Sequence, residues 1–210
     1  LNHQWKGMFY IDDDSCCTQF EPNDARKAFP CYDEPWAKAT FTISLCHKSE
    51  LTALSNMPAV SVTPSTFPNE SVTLFQETPP MCTYLVAMAV GKYSCVTGQT
   101  SRGLPVDIYA SQGNEQYLHL PLQEAIKALN YLESYFDMEF NLPRLQILAA
   151  KHFMFGGMEN YGLIIIIEKL FLKPPMNMNE MTAYEITPME RQMIDMLSAP
   201  NILDQMANFM

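Results

Sequence analysis

Basic residues are scarce in this 210-residue chain: 13 Lys and Arg stand against 23 Asp and Glu, a formal net charge of −10. Nucleic-acid binding rests on clustered Lys and Arg that neutralise phosphates, so this composition argues against it. A solvated acidic surface accounts for the charge, because net charge governs solubility more than partner choice; a site selective for cationic groups is the alternative. No Cys-x-x-Cys pair occurs among the six cysteines, Cys16, Cys17, Cys31, Cys46, Cys82 and Cys95, which argues against a cysteine zinc site or a dithiol redox motif. Their irregular spacing predicts free, buried thiols in place of a disulfide framework. Apolar runs such as Leu163–Ile167 fall far short of the ~20 residues that cross a bilayer, so no transmembrane segment is expected in this chain. No signal peptide is visible, and the chain opens on Leu1, so an N-terminal portion is expected to be missing.

What is present suffices for a globular core: 48% of the residues are hydrophobic and 17% charged, and the length permits one or two domains. Residues 1 to about 98 read as strands separated by turns. Ala39–Leu45 alternates with period two, while Thr83–Val90 is nearly all apolar, as in a strand covered on both faces. Gly98–Gly103 is polar and glycine-bearing, which predicts a linker. Beyond it, Leu118, Leu122, Ile126, Leu129, Leu132 and Phe136 recur every three or four residues, the buried stripe of an amphipathic helix with Pro121 in its first turn. Strands are expected at Leu145–Ala149 and Leu163–Ile167, and a Met-rich stretch ends the chain. The fold class is α+β: a β-sheet domain over residues 1–98, then an α/β domain over 99–210.

Three segments carry a family resemblance. Thr18-Gln19-Phe20-Glu21-Pro22-Asn23-Asp24-Ala25-Arg26 runs on through Phe29-Pro30-Cys31-Tyr32-Asp33-Glu34-Pro35 to Lys38-Ala39-Thr40-Phe41. Thr78-Pro79-Pro80-Met81-Cys82-Thr83-Tyr84-Leu85 follows, and then Gly156-Gly157-Met158-Glu159-Asn160-Tyr161-Gly162-Leu163. With Leu54-Ser55-Asn56-Met57-Pro58, these resemble, in order, the motifs of the M1 zinc aminopeptidases. The resemblance implies an incomplete N-terminal β domain of saddle-like form, followed by the first part of a thermolysin-like catalytic domain. It also implies a substrate-binding end at which carboxylates grip the free α-amino group of a peptide. The matching positions are Glu159 and Glu21, with Gln19 lining the same end. The backbone of Gly156, Gly157 and Met158, followed by Asn160, would lie alongside the peptide like an added strand. An ammonium among carboxylates gains charge-assisted hydrogen bonds that an internal peptide cannot offer.

The same resemblance exposes a gap. The family holds zinc with His-Glu-x-x-His on a helix and a later Glu, since two imidazoles at i and i+4 face one side of a helix. The Glu of the pentapeptide takes a proton from the metal-bound water. Here the histidines are His3, His47, His119 and His152; none precedes a Glu, none stands four residues from another, and none follows Glu159. Continued without a gap, the family pattern puts Tyr184 and Pro188 at the two histidine positions, Ala207 at the distal glutamate, and Glu185 at the general base. Thr187-Pro188-Met189-Glu190 reads as a capping box with proline at the first helical position. Such a helix would carry Met189, Met193, Ile194 and Leu197 on one face and leave Tyr184 and Glu185 before it. Glu185 is therefore the one catalytic candidate, no metal ligand is expected, and no cofactor is predicted for this chain although the family uses zinc.

The expectation is an M1 aminopeptidase-like chain that keeps peptide N-terminus recognition without zinc or activity. The alternatives are a non-catalytic peptide- or protein-binding module and a fragment of an active metalloaminopeptidase. Expected partners are peptide N-termini and, over the uniformly apolar Leu163–Ile167, a protein partner or a missing C-terminal domain. The sequon Asn69-Glu70-Ser71 points to a secreted or membrane-anchored extracellular location and leaves a cytoplasmic one open.

Overall fold

Period-two alternation lays down most of the strands and one long three-four stripe lays down the helix, over the residues 6–172 that the computed structural model describes. In chain order the first half holds β1 (Gly7–Asp12), β2 (Ser15–Gln19), β3 (Ser44–Lys48), β4 (Thr52–Ser55), β5 (Ala59–Pro64), β6 (Glu70–Phe75) and β7 (Met88–Gly91). The second half holds β8 (Tyr93–Gln99), β9 (Pro105–Ser111), α1 (His119–Phe136), β10 (Leu145–Ala150), β11 (Gly157–Met158), β12 (Leu163–Ile167) and α2 (Glu168–Phe171). They form three sheets, ordered β1-β2-β7-β4, β3-β6-β5 and β11-β12-β10-β9-β8. The α+β class expected from sequence is the class observed.

In the third sheet β9, β10 and β12 run parallel, with β8 and β11 antiparallel on its two margins. Parallel neighbours need a long crossover, and α1 supplies the one between β9 and β10. Side chains on alternate faces of this sheet feed two cores. Leu148, Ala150, Leu163 and Ile165 join Phe9, Cys17, Phe20, Leu54, Met81 and Val86 of the first half. On the other face Leu145, Ile147 and Ala149 pack with Val106, Ile108, Leu118, Leu122 and Leu129, with Ile164 and Ile166 against them. That division explains why β12 is apolar at every position: each of its faces packs against one of the two cores. Leu163 and Ile165 are buried, whereas Ile164, Ile166 and Ile167 are only partly so. Leu148 is fully buried where the two halves meet, so Leu148→Ala should cost about 3 kcal/mol through lost transfer energy and a residual cavity. A urea midpoint lowered at unchanged slope is the expected result.

Four further expectations are revised. Of Ala39–Leu45 only the end becomes β3; residues 39–43 run extended beside 75–81, with Ala39 and Met81 exchanging both backbone hydrogen bonds at 3.1 and 3.0 Å. Thr83–Val90 is not one strand: Thr83–Leu85 is a 3-10 turn and β7 begins at Met88. Here side chains take over the role of a ladder, because the Leu85 carbonyl and the Ala87 N–H are both bound by the Asn56 amide, at 2.8 and 2.9 Å. Gly98–Gly103 is no linker but the end of β8 and the turn into β9, closed by Gly103 N–H donating to the Thr100 carbonyl at 2.9 Å. The stripe on α1 is buried at Leu118, Leu122 and Leu129 only; Leu132 and Phe136 stay exposed along an apolar groove of about 620 Å³ shared with Phe140, Tyr161 and Ile164.

All six cysteines are free thiols, but Cys46 and Cys95 are exposed, against the expectation that all would be buried. Among the described residues no helix is long and apolar enough to cross a membrane.

Candidate amine-binding site

Glu21 is the second residue after β2, in the tight turn that leads to Ala25–Lys27, where the Asp24 N–H donates to the Phe20 carbonyl at 2.7 Å. It is exposed, whereas Gln19 at the end of β2 is 1% exposed. From the other half, Met158 closes β11 and is 2% exposed, Glu159 follows it at the surface, and Asn160 is buried again. The two segments touch: Gln19 Nε2 donates to Met158 Sδ at 3.6 Å, across 139 residues of chain.

Tyr84, in the turn that interrupts the expected strand, joins them electrostatically. Its phenol pKa is raised, first by burial and then by Cys82, Glu159, Glu21 and Tyr161 in that order. Both carboxylates therefore act on one phenol, which stays protonated and able to donate at neutral pH. Neither Glu21 nor Glu159 takes part in an ion pair among the described residues. Two carboxylates without an ion-pair partner among the described residues, both acting on one half-buried phenol, make a place where a cation is favoured. Gln19 Oε1 and Asn160 Nδ2 are buried with no hydrogen-bond partner among the described residues, and such orphaned groups are few in folded proteins. They leave unused hydrogen-bonding capacity on both sides of Met158.

Among the described residues β11 pairs only with β12, through Gly157 opposite Ile166 and Met158 opposite Ile165, and no other described strand lies on its second margin. A Cβ added at Gly156 or Gly157 would meet only ordinary neighbours, at 3.4 and 3.6 Å. Inward packing therefore does not demand these glycines, and their missing side chains keep an edge backbone approachable by an extended peptide.

The remaining expectations concern metal. His47 is buried between the Lys48 carbonyl and the Thr73 hydroxyl, at 2.9 and 2.8 Å, and His119 and His152 are exposed. No three residues of His, Cys, Asp and Glu are grouped to hold a metal ion among the described residues. His3, Tyr184, Glu185, Pro188 and Ala207 lie outside the described residues, as does the helix expected from Thr187. Sequence reasoning quoted Tyr84 and Asn56 inside matched motifs but gave neither a role. The signal was there in kind: each is a polar side chain in a stretch that is mostly apolar.

Comparison with known proteins identifies the relatives of this chain. Residues 8–85 match the family model of the peptidase M1 N-terminal domain, and residues 120–189 that of the peptidase family M1 domain. The chain is 43% identical over 158 residues to glutamyl aminopeptidase of Bos taurus, covering 75% of this chain and 16% of that protein. It is 43% identical over 161 residues to endoplasmic reticulum aminopeptidase 2 of Homo sapiens, covering 75% and 16%. Against aminopeptidase M1 of Arabidopsis thaliana the identity is 41% over 155 residues, covering 74% and 17%. The match thus spans about a sixth of the length of these relatives.

Proposed function

Because this chain belongs to the peptidase M1 family, we propose that it forms the end of an aminopeptidase fold that grips the free amino terminus of a peptide, without itself cutting the peptide. The observation that carries this reading is the pair Glu21 and Glu159, one from each half, acting on the single phenol of Tyr84 with no cation among the described residues to neutralise them. In it the ammonium of the bound peptide replaces the missing cation. Gln19 and Asn160 offer hydrogen bonds nearby, and the open margin of β11 takes the peptide backbone. The N-terminal β domain of this reading (residues 1–98) and the opening part of the catalytic domain (99–210) meet within β8, which pairs in the sheet of the second half.

Zinc does not fit the donors this chain offers. No histidine follows Glu159 anywhere in the sequence, and a phenol, a proline ring and an alanine methyl do not replace two imidazoles and a carboxylate. Glu185 on its own would be a base with no metal-bound water to act on. A second reading, part of a longer active enzyme, is favoured by the sixth of each relative that the chain spans; a transcript joining these residues to a segment with His-Glu-x-x-His would decide for it.

The test is titration of the purified chain with a short peptide and with its N-acetylated form. Charge-assisted hydrogen bonds are worth about 1.5–3 kcal/mol each, so acetylation and Glu159→Gln should each weaken binding about 10- to 100-fold. Equal affinity for both peptides refutes amine recognition. Stoichiometric zinc after purification, with chelator-sensitive hydrolysis of a chromogenic amino-acid amide, refutes the inactive reading.

A further inference from the structure

Between the two glutamates lies a joint that neither motif explains, at the segment Leu54-Ser55-Asn56-Met57-Pro58. We propose that Asn56 is a positioning residue for the amine-binding end: its side chain locks the loop that bears Glu159 onto the turn that bears Tyr84. This rests on the reading of Glu21 and Glu159 as amine-binding carboxylates.

Asn56 follows β4 and is 1% exposed. Its Nδ2 donates to two carbonyls at 2.8 Å, that of Leu85 and that of Tyr161, which is 105 residues away. Its Oδ1 accepts the Ala87 N–H at 2.9 Å. One contact is therefore one residue from Tyr84 and another is two residues from Glu159. The demand on residue type is narrow. Two carbonyl acceptors need two N–H bonds on one nitrogen, and the Ala87 N–H needs an oxygen on the same group; only a primary amide supplies both. A carboxylate would face two carbonyl oxygens with no hydrogen to give, and a hydroxyl has one donor for the two carbonyls.

The backbone closes the joint as well. A Cβ at Gly162 would stand 2.0 Å from the Asn56 carbonyl oxygen, so loop and strand end are in direct contact there. The Ser55 carbonyl accepts from Gln146 Nε2 at 2.9 Å, and the Ser55 hydroxyl donates to the Ala87 carbonyl at 2.8 Å. These neighbours can hold the halves together without Asn56. Among the described residues Asn56 is the side chain that hydrogen-bonds the 159–162 loop and the 83–87 turn directly and at once, and that link sets how far Glu159 stands from Tyr84 and Glu21.

The experiment reads that spacing directly, through the coupling of Glu159 to the Tyr84 phenol. With ring-labelled tyrosine, and the Tyr84 signal assigned by its loss in Tyr84→Phe, the phenol is titrated in four chains: unaltered, Glu159→Gln, Asn56→Ser, and both together. Glu159→Gln should lower the Tyr84 pKa in the unaltered background and lower it by less than about a third as much beside Asn56→Ser. An equal drop in both backgrounds overturns the proposal. A residue that only stabilised the fold would lower the melting temperature and leave this difference alone. Should Asn56→Ser not fold, hydrogen exchange on the unaltered chain decides: the Ala87 amide should exchange as slowly as that of Leu148 in β10. Exchange 100-fold faster would mean that the lock opens locally, and would overturn it. Peptide titration is read separately, so indifference to acetylation would sink the amine-binding reading while the coupling result stood.

Discussion

Gly162→Ala is expected to destabilise the protein by about 3–5 kcal/mol, combining the left-handed backbone penalty with overpacking against a neighbour that cannot retreat. Gly162 has φ +71°, and the atom its new Cβ would meet at 2.0 Å belongs to the backbone of Asn56. Flexible side-chain ends yield cheaply, whereas a strand-end carbonyl held in a buried joint does not. Against a total stability of roughly 5–15 kcal/mol, that loss removes a large fraction of the folded margin. Equilibrium urea unfolding measures it. A midpoint within error of the parent would mean that the loop and Asn56 are not in the close contact described. Gly103→Ala is the natural control, since Gly103 has φ +85° but its Cβ would meet nothing within 4 Å.

Asp33→Ala should cost a comparable amount, about 3–5 kcal/mol, for a different reason. The Asp33 side chain is fully buried, and its carboxylate accepts from the Arg26 N–H at 3.0 Å, from Arg26 Nε at 3.1 Å and from the Thr83 hydroxyl at 2.7 Å. Arg26 Nη2 also donates to the Asp33 carbonyl at 3.0 Å. Removing the carboxylate strands the buried Thr83 hydroxyl, gives up hydrogen bonds to a charged group, and places alanine at φ 54°. Arg26 is 48% exposed and remains solvated, which keeps the figure below that of a fully buried ion pair. Asp33→Asn keeps the shape and tolerates the left-handed backbone, so it should cost about half as much.

The same group predicts a pH dependence. Burial pushes the Asp33 carboxyl up, but the hydrogen bonds from Thr83 and Arg26 and the nearby guanidinium outweigh it, so its pKa lies below the usual aspartate range. The charged form is thus favoured by folding. Its stabilisation is fully present above the unfolded value of about 3.9 and is lost as pH falls through the lower folded value. Urea midpoints of the unaltered chain and of Asp33→Asn should differ most near neutrality and converge below about pH 4. A gap that held constant down to pH 2 would assign the loss to shape and not to charge.

These two sites also show where the sequence was legible and where it was not. Helix α1 was readable because its apolar period persists over eighteen residues, and β10 and β12 because short apolar runs end at turn residues. Thr83–Val90 misled because apolar character reports burial and not pairing. Its backbone is bound by the side chain of Asn56, from 29 residues away, and its Thr83 hydroxyl by that of Asp33, from 50 residues away. Nor does a list of residues reveal that the Asn56 amide also reaches Tyr161. For the site, motif matching found Glu21 and Glu159 but could not say that both act on Tyr84, since that depends on how two halves of the chain meet. The want of histidine beyond residue 152 needed no structure at all.

Strand β5 has no charged side chain in its six residues, lies on the outer margin of its sheet, and leaves Val60 and Val62 facing water. Open margins of this kind invite like chains to zip together unless something keeps them apart. Pro64 and the irregular register between Ala59 and Ser61 blunt this margin locally, and the mutual repulsion of molecules with a net charge of −10 adds a collective deterrent. Such repulsion reaches ~8 Å at physiological ionic strength and ~3 Å in molar salt. The reach of that collective deterrent is consequently set by the ions dissolved around the protein, whereas the proline and the irregular register act at any salt.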